Sequence, residues 1–498
     1  MAWSFGDGFD CYAAATDAIN GYWDSGTVIF TLDPGRFLGS RAMTGANNTA
    51  LLVKSSGSND AVHHIVVAFS TTAAIAGTNL GQYLQLGDGA TGQCAIVFRS
   101  DGAILLTSGT AAGATLATYA GAFTAASTWY AFEFEVIINS TTGRFRVRKN
   151  GNAVDDFDSG AVLNTRGGTA NNYANRLTVG RQATVAQTFD DLFWRSDASS
   201  VAWMGDIRCF TRMPASDASV QFSRTPTGVL TQTVPTTAVA STSIFNTVAR
   251  FTQFTAAYSG TVTGVGVAVS TGNSGNMKCA IYADNAGAPG TVLASATAPV
   301  TPVVGGTNAF TFSPGVSIVK GTAYWMTCMC DTTVGSYTQN NTSAATSATA
   351  SASYATFPQA NPVVTIPSSQ TQFSWTYTAT PANWQAVSEA QQDATTSYVY
   401  DSTPGHADFY GVASIASTPV STIALVTRAY MQKSDAGTRT AAVQLKSGAA
   451  AAVASPTLVL TTSGWQWTYR MDLTDPNTSA AWTAAAVNNV TVGPTVIA

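Results

Sequence analysis

Trp129-Tyr-Ala-Phe-Glu-Phe-Glu-Val-Ile-Ile138, Asn139-Ser-Thr-Thr-Gly143 and Arg144-Phe-Arg-Val-Arg-Lys149 decide the fold of this chain. Apolar and polar residues alternate in the first and third segments, the period of a strand with one buried face. The residues between them suit a hairpin loop, and Asn150-Gly151 directly after is a strong tight-turn signal. Phe132, Phe134 and Val136 share one face, Glu133 and Glu135 the other. The expectation is a phenylalanine row in the core and solvent-facing glutamates.

Similar strand patterns surround this hairpin at residues 4–12, 63–69, 82–86, 93–99, 176–180 and 189–195. Long helical periodicity is missing, so residues 1–200 read as an antiparallel sandwich. His63 and His64 are expected to alternate across an edge strand. In Phe189-Asp-Asp-Leu-Phe193, Asp190 and Asp191 are expected on opposite faces. Phe189–Arg195 then reads as the last strand of one β domain and Trp203–Phe210 as the first of another.

Composition supports an all-β, multi-domain chain. Charged residues make up 10% and hydrophobic residues 45% of 498 residues, with 11 Trp, 17 Tyr and 23 Phe. Such a chain has ample apolar surface for several cores and is not disordered. Net charge is −4 and no Lys/Arg cluster stands out, which argues against nucleic acid and anionic membrane as partners. No apolar run approaches the roughly 18 residues of a membrane helix. The first residues lack the basic and apolar regions of a signal peptide, so synthesis in a cytoplasm is expected. Six cysteines in so long a chain do not make a disulfide framework. Cys328 and Cys330 share one strand face and read as small buried residues.

Residues 227–380 are richer in Thr, Ser and Ala. Cys279-Ala-Ile-Tyr282, the following Asn-x-Gly-x-Pro-Gly and Gly321-Thr-Ala-Tyr-Trp325 are similar to jelly-roll modules of surface and phage proteins, which often resemble carbohydrate-binding domains. Pro289-Gly290 and Pro314-Gly315 are expected in turns. From about residue 381 strand patterns resume through residues 397–400, 423–431, 440–445 and 465–470.

Asp7-Gly-Phe-Asp10, Gly35-Arg-Phe-Leu-Gly-Ser-Arg41, the 129–151 hairpin and Phe189-Asp-Asp-Leu-Phe193 together resemble the laminin-G-like (concanavalin A-like) domains of bacteriophage structural proteins. That resemblance implies that the first and last strands of the sandwich lie side by side. Gly205-Asp-Ile-Arg208, Asn383-Trp384, Lys433-Ser-Asp-Ala-Gly437 and Asp475-Pro-Asn-Thr478 resemble the module that follows such a domain in phage tail and minor structural proteins. The first two motifs are far apart here. The expected organisation is therefore a concanavalin A-like sandwich at 1–200, a discontinuous β-sandwich at 201–226 plus 381–498, and a jelly-roll module inserted at 227–380.

Candidate chemistry is sparse. Retaining glycosidases need two carboxyls about 5–5.5 Å apart across a cleft. Glu133-Phe-Glu135 lacks the acidic-x-acidic-x-x-Glu signature of laminarinase-like enzymes and reads as structural. Asp190 and Asp191 are candidates for calcium, as the resemblance implies, or for capping a turn. Three histidines give no catalytic or zinc spacing. Trp325, Tyr337, Tyr354, Trp375 and Trp384 are candidates for stacking on sugars, each weighed against an ordinary core position. The resemblance implies a non-enzymatic virion protein made in the host cytoplasm: a tail fibre, tail tip, collar or capsid decoration. Its partners would be other virion proteins, copies of itself (a trimer is the expected form) and host-surface polysaccharide. A glycan depolymerase on the same scaffold and a cellular lectin or adhesin are the alternatives.

Overall fold

The computed structural model describes residues 3–498 other than 28–29, 38–39, 46–50, 184, 200–201, 226–227, 235, 237–238, 241–245, 273, 341–346, 366–368, 380–381, 390–392, 394–395 and 416–420. Among the described residues the α-helices, Ala15–Ala18 and Ala484–Asn488, are about one turn each, and strands make up most of the regular structure. Two compact units share the chain. The first comprises Met1–Ser223, Val387–Thr395 and Tyr400–Ala498; the second comprises Arg224–Ala386 and Thr396–Val399. The first thus takes in the segment read as an N-terminal sandwich and most of the segments read as a C-terminal one.

The sandwich of the first unit has strands β1 (Trp3–Asp7), β2 (Ser25–Thr27), β3 (Phe30–Pro34), β4 (Arg41–Gly45), β5 (Leu51–Asp60), β6 (Val62–Thr71), β7 (Leu80–Asp88) and β8 (Thr91–Arg99). It continues through β9 (Ile104–Ser108), β10 (Thr115–Tyr119), β11 (Tyr130–Ile137), β12 (Arg144–Lys149), β13 (Phe157–Asp158), β14 (Ala174–Arg181) and β15 (Gln187–Asp197). One sheet runs β13-β12-β11-β6-β15-β4-β3, with β1 also on β15; the other runs β10-β9-β8-β7-β14-β5-β2. Phe132, Phe134 and Val136 face the core as their alternation requires, and Phe69 of β6 stacks on Phe98 of β8 at 4.3 Å between ring centroids. That contact joins the sheets directly. First and last strands do lie side by side, Trp3 opposite Ser196 and Asp7 opposite Leu192.

Two local expectations fail here. β6 is a central strand between β11 and β15, so His63 and His64 alternate across the sheet but not at its edge. Its ten residues are buried throughout, which suits a strand covered on both faces. In β15 the register slips between Asp190 and Phe193, and Asp191 has φ 50°. This bulge breaks the alternation, so Asp190 and Asp191 do not simply take opposite faces. It falls where the neighbour of β15 changes from β4, opposite Thr188 and Phe189, to β1.

Residues 203–210 are not a strand. They lie outside any ladder, with a bend at Asp206, and the next strand is β16 (Pro214–Ser219), which pairs with Phe409–Val412. That pair continues through Thr491–Val496 and Thr440–Lys446 in a six-stranded sheet. A separate two-stranded sheet, Leu425–Met431 with Gln466–Asp472, sends Trp467, Tyr430 and Tyr469 into the core that holds Phe5, Tyr12 and Tyr22. Trp467 donates from its indole to the Asp17 carbonyl at 2.9 Å and from its backbone to Asn20 at 2.6 Å.

The second unit is a seven-stranded sheet over a five-stranded one, with Phe254, Phe310, Met326, Cys328, Cys330 and Trp375 in the core between them. Pro289 and Pro314 are inside strands, Ala288–Ser295 and Thr307–Ile318, rather than in turns. Each of these strands has a single strand neighbour, the position where a missing N–H costs least.

Candidate functional site

The outward face of the larger sandwich sheet gathers charge. Cross-strand pairing sets Glu133 opposite Arg148, Glu135 opposite Arg146 and His64, and Arg195 opposite His64. Glu133 and Glu135 are 3% and 0% exposed, contrary to the solvent-facing expectation. Alternation fixes the side of the sheet on which a residue lies but says nothing of what covers it. Here residues 203–211 cover it as a strap.

Met204 and Gly205 each donate a backbone N–H to Glu133, both at 2.8 Å. The Trp203 ring lies 4.1 Å from the Arg148 guanidinium and 5.2 Å from that of Arg146, a cation–π pairing, with His64 edge-on to it. His64 Nε2 meets Glu135 at 3.0 Å, and Glu135 accepts from Arg146 at 2.6 Å. Burial alone would lower the His64 pKa, but its bonds to Glu133 and Glu135 outweigh that and hold it above the usual value. Burial likewise favours a neutral Glu135, and the bonds from His64 and Arg146 outweigh it and keep its pKa low. His63, on the core side, is the reverse: burial lowers it to about 4, while Trp194 donates to its Nδ1 at 3.3 Å and its Nε2 bonds the Asp60 carbonyl at 2.9 Å. An imidazole of raised pKa outside and one of lowered pKa inside occupy consecutive residues. Glu133 thus holds the strap to the sheet, and Glu135 ties His64 and Arg146 together across it.

The second gathering of charge is at the bulge. Asp190 accepts backbone N–H groups from Arg36 at 2.8 Å and Asp191 at 2.7 Å; Asp191 accepts that of Cys209 at 2.7 Å. Burial pushes the Asp190 carboxyl up to about 6, and burial with the charge of Asp190 pushes Asp191 up to about 7. Calcium asks for six to eight oxygens. Three of the four oxygens of this pair already accept backbone N–H groups, and the fourth, Asp191 Oδ2, faces the Arg36 guanidinium at 3.7 Å. On this count of engaged oxygens the pair does not fit the ion.

Carboxyls with raised folded pKa values bind protons more tightly in the native state. Their stabilising effect is complete below the unfolded value of about 4 and fades as pH rises through about 6 and 7. His64, also raised, works in the same direction. Thermal unfolding of the first unit is therefore expected at lower temperature at about pH 8 than at about pH 5.5, and Asp191→Asn should flatten the difference. An equal dependence in the variant would contradict the assignment.

The aromatic candidates are scattered. Trp325 and Trp375 are fully buried core residues of the second unit, so neither offers a face to a sugar. Trp375 points into the core between the sheets, and Trp325 into a smaller apolar cluster with Phe251, Tyr282 and Phe357 on the other face of its sheet. The side chain of Tyr337 lies outside the described residues. Tyr354 is partly exposed with the Lys278 ammonium 4.1 Å over its ring, and Trp384 is partly exposed on the 3-10 turn Asn383–Ala386. Sequence reasoning passed over His64, Arg36, Arg146 and Trp203. The opposed charges of the 129–149 hairpin, glutamates facing arginines in register, were the available signal.

No family model matches the sequence, and no curated protein matches it. Solved structures similar to part of the chain include a winged bean acidic lectin complexed with methyl-α-D-galactose, at 8% identity and TM-score 0.27, covering 39% of this chain and 98% of that one. Lectin II from Ulex europaeus matches at 8% identity and TM-score 0.27, over 39% and 97% of the two chains. The metal-free exoplasmic/lumenal domain of VIP36 matches at 9% identity and TM-score 0.25, over 40% and 92%. The sandwich itself rests on its strand pairings and on the Phe69–Phe98 contact between its sheets.

Proposed function

We propose that this chain is a non-enzymatic structural protein of a tailed-bacteriophage virion, a tail-fibre, tail-tip, collar or capsid-decoration component that makes assembly contacts and adheres to host-surface glycan. The observation that carries this reading is the use made of the sandwich carboxylates. Glu133 holds the strap backbone and Glu135 is tied to Arg146, so the paired acids that a glycosidase would present to substrate serve architecture instead.

The second unit supports the adhesive half. Across its larger sheet Thr231 is opposite Thr376, and Gly264 stands between Thr376 and Thr311. Thr376 and Thr311 alternate with buried neighbours and Thr231 is exposed, which gives an uncharged hydroxyl-bearing face suited to glycan hydroxyls or to another protein subunit. Copies of the same chain, a trimer being the form expected, and other virion proteins are the proposed assembly partners. Tyr354 and Trp384 are the aromatic residues proposed to touch sugar.

Antibody against this chain should decorate intact phage particles in electron micrographs. Tyr354→Ala and Trp384→Ala should each weaken binding to host polysaccharide by about ten-fold, the worth of one lost aromatic contact. Unlabelled particles would remove the virion reading, unchanged binding would remove those contacts, and release of sugar fragments would remove the non-enzymatic reading.

A further inference from the structure

We infer that Arg36 is a built-in counter-ion that latches the 203–211 strap onto the sandwich, standing between Asp206 of the strap and Asp191 of the bulge. The inference is independent of the virion reading and concerns how the chain holds itself together.

Arg36 reaches acids in three ways. Its guanidinium forks onto Asp206, Nη1 to Oδ1 at 2.6 Å and Nη2 to Oδ2 at 2.7 Å. The same Nη1 lies 3.7 Å from Asp191 Oδ2, an oxygen that accepts no hydrogen bond among the described residues. Its backbone N–H goes to Asp190. A planar fork on a carboxylate is the geometry in which arginine binds most specifically, and a cover of low polarity strengthens it. That cover is present: the Arg36 side chain is 11% exposed, Phe210 of the strap stacks on Phe37, and Arg208 lies 4.6 Å over the same ring.

The backbone is shaped for this contact. A Cβ at Gly35 would come within 2.3 Å of Ser40 Oγ and 2.7 Å of Asp190 Oδ2, so only glycine lets the loop bring Arg36 to the acids. A Cβ at Gly8 would come within 2.6 Å of Cys209 Cβ, which lets the strap lie close against the first strand's end. Glu133 at one end and Asp10, which accepts from Thr211 at 3.0 Å, at the other complete the hold. Three carboxylates of the sandwich accept from this strap, Glu133, Asp191 and Asp10, and Arg36 joins one of them, Asp191, to Asp206 of the strap itself.

Arg208 is exposed within the strap and offers trypsin a bond that can be cut only when the segment lifts. The full-length chain, Arg36→Gln and Asp206→Asn are digested in chelator and in millimolar calcium, with near-ultraviolet circular dichroism reporting the fold. The parent chain should resist cleavage after Arg208 equally in both media. Both variants should be cut there about ten-fold faster or more, the effect of losing charge-assisted hydrogen bonds, with the dichroism retained. Asp206→Asn removes only a partly exposed side chain of the strap, so it keeps the test decisive should Arg36→Gln fail to fold. Calcium-dependent protection of the parent chain, or an Asp206→Asn variant cut no faster than the parent, would overturn the inference.

Discussion

Asp7→Ala destabilises the first compact unit by about 3–5 kcal/mol, the loss expected when one partner of a buried ion pair is removed and the other is left uncompensated. Asp7 is 1% exposed and accepts from the Tyr12 hydroxyl at 2.6 Å, the Trp23 indole at 2.8 Å and the Phe9 backbone at 3.0 Å. Arg428 stands 3.5 Å away, with 15% of its side chain exposed, and its guanidinium lies over the rings of Tyr22, Trp467 and Tyr12. Removal of the carboxylate therefore orphans three donors and a covered cation at once. Urea unfolding followed by tryptophan fluorescence measures the loss. Asp7→Asn keeps an acceptor and should lose less; equal losses would show that the charge contributes nothing.

Trp375→Ala costs the second unit a similar about 3–5 kcal/mol, by a different route: a cavity in a packed core. The Trp375 ring is fully buried, 4.9 Å from Phe254 and 5.7 Å from Tyr377 between centroids, and its indole donates to Gln232 at 3.0 Å. The substitution should shift the unfolding transition of the second unit and leave that of the first in place, whereas Asp7→Ala should do the converse. Calorimetry resolves the two if the units melt separately. A loss of glycan binding in Trp375→Ala would follow from unfolding and would not mark a sugar contact.

The strands were legible because alternation is a local property. The 129–149 hairpin, its turn and its buried phenylalanines follow from neighbouring residues alone. What decided the candidate sites is not local. Arg36 and Asp206 are 170 positions apart, and Met204 and Glu133 are 71 apart, so no window of sequence brings them together. Glu133 and Glu135 were placed on the correct face and given the wrong surroundings for this reason. The bulge at Asp191 is a different case: a non-glycine residue with positive φ carries little local signal, and tertiary packing sets it. Trp325 and Trp375 misled through their type, since a ring able to stack on sugar is also the ring that fills a core best. The apolar run after His64 was the clue to a central strand, because an edge strand rarely affords burial on both faces.

The placement of Trp467 against Asp17 and Asn20 has a bearing on synthesis. Asp17 and Trp467 are 450 positions apart. At about 5–20 residues per second, a ribosome needs roughly 20–90 s to travel between them. During that interval Tyr12 and Tyr22 have emerged without the strand pair that covers them, while the whole second unit has been made in between. The Tyr12 and Tyr22 side of this core thus stays open on the nascent chain throughout that interval, and closes only when Trp467 arrives.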